Sequence, residues 1–159
     1  MKWSCILMLL FSLNAFSQNL KGESNNIAFV NSPGSWDDGY SFGVNYEYQN
    51  KTIYVGPELY VFPNLNGFTY AHIMGRIGFN KEWNNKFRVF TGTRLGLIYR
   101  ETGGMQYANL GGEIGGQYTI NSYFIRISGS RDMRTDSKLW SSRDYFMVNS
   151  VWVSIGKRF

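Results

Sequence analysis

The chain has 159 residues, room for one domain, and no apolar run of 18 residues, which excludes a spanning helix. Its 16 Lys+Arg stand against 11 Asp+Glu, a net charge of +5, so an anionic partner such as lipid headgroups or nucleic acid is admissible. With 18% aromatics, 18 glycines and only 3 prolines, and no period of 3.6 after the first residues, the composition fits an all-β chain rich in turns.

The first 17 residues, "MKWSCILMLLFSLNAFS", carry Lys2, an apolar run from Cys5 to Leu13, and Ala15-Phe16-Ser17 as a small-x-small cleavage site before Gln18. That pattern predicts a secretory signal peptide over 1–17. The run is about half the ~20 residues of a membrane anchor. Removing 17 of 159 residues leaves 142, with Lys2 gone and 15 basic side chains against 11 acidic. The only cysteine leaves with the signal, so the mature chain is expected to hold no disulfide and no thiolate metal site. Export also argues against nucleic acid as a partner. A short segment, 18–24, then leads into a domain spanning 25–159.

Eight strands are predicted in order: 25–31, 40–49, 52–62, 68–83, 87–100, 107–120, 123–131 and the closing stretch 144–159. Tight turns at Asn50-Lys51, Asn84-Asn85-Lys86 and Asn121-Ser122 alternate with longer connections, "SPGSWDDG" (32–39), "PNLNG" (63–67), "ETGGMQ" (101–106) and "DMRTDSKLWSSRD" (132–144). This alternation describes an up-and-down barrel with an even strand number. Two-residue turns pair Gln49 with Thr52 and Gln117 with Arg126, and a three-residue turn pairs Glu82 with Arg88.

Alternate residues then sort into two faces. One carries Tyr46, Val55, Leu59, Ile73, Ile77, Val89, Leu95, Ile114, Ile125 and Ile127. The other carries Asn45, Glu47, Glu58, His72, Arg76, Arg88, Arg94, Glu113, Gln117 and Arg126. A soluble barrel buries the first list, and a membrane barrel buries the second. Aromatics gather near the tight turns (Tyr46, Tyr48, Phe79, Trp83, Phe87, Tyr118, Tyr123, Phe159), with Tyr40, Tyr99 and Tyr145 at the other end. A soluble core has no cause to sort residues by depth. Glycines 43, 56, 78, 92, 96, 111, 115 and 156 share the charged list, where they relieve crowding in a narrow lumen. Six of the eight strands, with 10 to 16 residues, suit a tilted crossing of a bilayer.

On these features the chain resembles the small eight-stranded outer-membrane β-barrels of Gram-negative bacteria over about 25–159. The most specific element is the last strand, where Val151, Val153, Ile155 and Phe159 match the family's alternating apolar residues and terminal aromatic. Lys157 departs from it, at a position usually apolar. The resemblance implies placement in a lipid bilayer of the cell outer membrane and recognition of the Phe159 strand by the barrel-assembly machinery. Ser17-Gln18 resembles export signals common in Bacteroidota.

Few residues invite chemistry. His72 is the single histidine and is expected to be a hydrogen-bonded lumen residue. Some members of the resembled family act on lipid with a His, a Ser and an acid, but no Ser motif beside His72 resembles theirs. The register that sets Glu82 against Arg88 also sets Arg76 against Arg94. Two guanidinium groups side by side need carboxylates, so Glu58 and Glu113 are expected to complete a four-residue cluster in a closed polar lumen. Asp37-Asp38 are too few for calcium, and "GGEIGG" (111–116) lies within a strand without the Lys-Ser/Thr of a phosphate loop. Leu139 and Trp140, near the tip of the longest loop, are candidate interaction residues. No catalytic centre, metal or cofactor is expected. The role read here is structural or surface-interaction, porin-like in architecture. The alternatives are a lipid-modifying outer-membrane enzyme and a soluble lipocalin-like barrel that binds a small apolar ligand.

Overall fold

Alternating apolar and polar residues over a dozen positions leave each strand two unlike faces, and closure of the sheet gives both a separate environment. The computed structural model describes residues 23–35, 39–65, 68–101, 104–135 and 147–159. Eight strands run β1 Ser24–Ser35, β2 Gly39–Gln49, β3 Ile53–Leu65, β4 Phe68–Trp83, β5 Phe87–Arg100, β6 Gly104–Ile120, β7 Tyr123–Arg134 and β8 Met147–Arg158. Each pairs antiparallel with the next, and β8 returns to β1, closing the barrel. The expected signal peptide, Asp37-Asp38, Leu139, Trp140 and Tyr145 lie outside the described residues.

Several strands reach further into the long connections than the sequence suggested. β1 continues to Ser35, β3 to Leu65 and β7 to Arg134, and β6 starts at Gly104. Turn-type residues there still form ladder bonds, because the neighbouring strand is long enough to supply partners.

The three tight turns differ in what fixes them. Asn121 takes φ 56°, and Ile120 pairs with Tyr123. Asn84 and Asn85 take φ 52° and 54°, and Trp83 pairs with Phe87. Asparagine tolerates this left-handed region better than most residues. Both hairpins keep the expected register, including Arg76 opposite Arg94 and Gln117 opposite Arg126. The β2–β3 hairpin corrects its expectation by two residues: Gln49 faces Tyr54 rather than Thr52, and Asn45 faces Glu58. The cause is Asn50. Its side-chain carbonyl accepts from the Thr52 and Ile53 amides at 2.9 and 2.8 Å and widens the turn to 50–53. A slip of two leaves every side chain on its predicted face.

The burial is that of an inverted protein. Glu47, Arg76, Arg88, Arg94 and Arg126 are buried, whereas Ile77, Phe79, Leu95, Ile114 and Ile127 are each more than half exposed. This arrangement overturns the lipocalin-like alternative, which needs the apolar face inside.

Crowding in the lumen shows at its glycines. A methyl group added to any of the eight inward glycines would press into backbone or a packed side chain; at Gly92 it would meet the Tyr54 hydroxyl and the facing Gly78. Outward Gly75, Gly112, Gly116 and Gly129 have no atom nearer than 3.7 Å to that methyl position.

Candidate functional site

The deepest layer of the lumen is ionic. Glu47 of β2 is its hub: it takes Arg88 at 2.6 Å, Arg126 at 2.8 Å and Arg76 at 3.3 Å, from β5, β7 and β4. Arg76 also reaches Glu113 at 2.8 Å and Glu58 at 3.1 Å. Arg94 is held by Glu58 and Asp132, each at 3.2 Å, and donates to the Tyr60 hydroxyl. Four arginines thus meet four carboxylates, and the network balances in charge. Buried charges are tolerable only when paired and hydrogen-bonded in this way.

Neutral groups complete the layer. The Gln117 carbonyl accepts from Arg126 at 2.9 and 3.2 Å and from Arg88 at 3.2 Å. Tyr54 donates to Glu113 at 2.7 Å. The Phe90 ring lies under the guanidinium groups of Arg76, Arg88 and Arg126, 5.1 to 5.7 Å from its centre. Below, at the tight-turn mouth, Arg158 pairs with Glu82 through two nitrogens at 2.5 and 3.1 Å, and Gln49 donates to the same carboxylate.

Towards the long loops the filling turns aromatic. Tyr60, Phe62, Tyr70, Met74, Ile98, Val30 and Trp152 form one buried cluster. Trp152 lies 4.8 Å from the Tyr60 ring and donates to Ser130, which donates in turn to Asp132. His72 packs between Tyr60 and Phe62 at 5.3 and 4.7 Å. Among the described residues neither of its ring nitrogens has a hydrogen-bond partner, which corrects the expectation of a hydrogen-bonded histidine. The lumen is therefore layered, polar in the middle and aromatic above, rather than polar throughout.

No protein-family model matches the chain, and no curated protein matches it. Among solved structures it is similar to Neisserial surface protein A, with TM-score 0.54 and 15% identity over 86% of this chain and 94% of that one. It is also similar to Ail, the attachment invasion locus protein of Yersinia pestis, with TM-score 0.52 and 17% identity over 88% of this chain and all of the other. The de novo designed TMB2.3 gives TM-score 0.57 at 9% identity, covering 89% and 98%. The chain has the fold of an eight-stranded transmembrane β-barrel.

Within this barrel, the four residues expected to cluster lie together, with a change of partners. Arg76 holds both Glu58 and Glu113. Arg94 holds Glu58, but its second carboxylate is Asp132 rather than Glu113. Glu47 and Asp132 were outside the expected cluster. The wider Asn50 turn sets Glu47 beside Gly56, which pairs with Arg76, and from there its carboxylate also reaches Arg88 and Arg126. Asp132 opens the expected loop 132–144 but belongs to β7, where Ser128, Ser130, Asp132 and Arg134 continue the inward parity.

Proposed function

We propose that this chain is a small outer-membrane barrel, exported by residues 1–17, with its tight turns on the periplasmic side and its longer loops outward. Its role is structural or surface-interacting rather than transport. The observation that carries this reading is the inversion of burial, an apolar belt around a balanced ionic interior. Long arginines bridge the centre and aromatic rings close the layer above, which supports a lumen without a conducting path. The terminal Phe159 strand is the proposed signal to the barrel-assembly machinery, and Leu139 and Trp140 are the proposed contacts for an external partner. The enzyme alternative gains no support from His72, which is enclosed by rings on the lumen side, away from lipid.

Protease added to intact cells should cut within 132–144 and spare the turns at 50–53 and 121–122. Cleavage at the tight turns in intact cells would overturn the orientation. Assembly should slow when Phe159 is deleted; unchanged outer-membrane levels of that variant would overturn the signal.

A further inference from the structure

The tight-turn rim carries lysines that the lumen network does not use. Asn80 ties β4 to the β2–β3 turn twice: its amide donates to the Thr52 carbonyl at 2.7 Å, and its side chain donates to the Asn50 carbonyl at 3.3 Å. Lys51 lies between the two residues so bonded, and Lys81 follows Asn80. The two lysines are neighbours at the end of the ladder, and both are exposed. Lys86 is exposed at the tip of the next hairpin. Like charges placed opposite each other at a strand pair repel, and none of the three forms an ion pair among the described residues.

The acids of this end are engaged elsewhere. Glu82 turns into the lumen onto Arg158 and Gln49, and Glu23 lies beside the Tyr48 hydroxyl. Beside the lysines, Trp83 and Phe87 stack at 5.9 Å, about half exposed, and Phe79 is exposed just below Lys81. Stacked aromatics of this kind mark the level of lipid headgroups. A cationic pair at that level lacks only an anion.

We infer that the Lys51–Lys81 pair is a binding site for the phosphate of an anionic phospholipid in the leaflet that faces the tight turns. The inference rests on the membrane reading above. One phosphate bridging two ammonium groups turns their repulsion into attraction, and the Trp83–Phe87 stack gives the acyl chains a wall.

The test uses the refolded barrel in phosphatidylcholine vesicles containing spin-labelled phosphatidylglycerol or spin-labelled phosphatidylcholine. Wild type should retain the glycerol lipid over the choline lipid by about fivefold or more at low salt, and the preference should shrink at high salt. Both K51Q/K81Q and K81E should lose it. K81E also places a carboxylate beside Lys51, so its barrel should melt no lower than wild type in pure phosphatidylcholine. Equal retention of the two lipids by wild type would overturn the inference, as would a preference that survives in K51Q/K81Q. Failure of wild type to insert as a protease-resistant form would overturn the membrane reading itself, a result distinct from insertion without selectivity.

Discussion

In the middle of the lumen, Glu47, Glu58, Glu113 and Asp132 hold four arginines through contacts of 2.6 to 3.3 Å. Towards the long-loop mouth, Tyr60, Phe62, His72 and Trp152 touch through rings 4.7 to 6.0 Å apart. Both layers fill the same narrow tube, but they respond differently to a lost partner. A ring layer that loses one member loses contact area. An ionic layer that loses one member leaves a charge stranded away from water, so its members depend on one another.

That contrast predicts a ranking. Glu47→Ala strips three arginines of their shared carboxylate and should cost about 3–5 kcal/mol in urea unfolding, the scale for breaking a buried pair. A loss below that of the rim variant described last would break the contrast. Gly92→Val forces a branched side chain against Tyr54 and Gly78 and should cost about 1–3 kcal/mol by overpacking; wild-type stability of this variant would mean that the lumen is loosely filled. His72→Phe removes two unpartnered ring nitrogens from the aromatic layer and should raise stability by about 1 kcal/mol. A fall of that size would contradict the expectation that the unpartnered nitrogens outweigh any overpacking by the larger ring. Glu82→Gln breaks a pair whose side chains are 15–20% exposed at the mouth, where water can replace the partner, and should cost no more than about 1 kcal/mol.

The ease of reading the sequence also divides along these lines. The two faces were legible because the side-chain period of a strand is two, and a slip of two residues at Asn50 does not disturb it. Arg76 opposite Arg94 was legible because the Asn84-Asn85-Lys86 turn has one length that satisfies parity. The identity of the partners was not. The level of Glu47 beside Arg76 depends on where a single side-chain carbonyl, that of Asn50, sets the turn. Asp132 sits in a stretch with loop composition, and only its parity with Ser128 and Ser130 pointed inward. The aromatic layer was present in the same list as the charges, at Tyr60, Phe62 and Trp152, but a face sorted by charge hides its apolar members.

Inversion of the barrel is the claim on which the rest depends, and a nitroxide scan along β7 tests it most directly. Labels at Tyr123, Ile125, Ile127 and Gly129, in barrels folded in lipid vesicles, should be readily accessible to dissolved oxygen. Labels at Phe124, Ser128 and Ser130 should be shielded, giving an accessibility profile with period two. The opposite phase, or no alternation, would contradict the account.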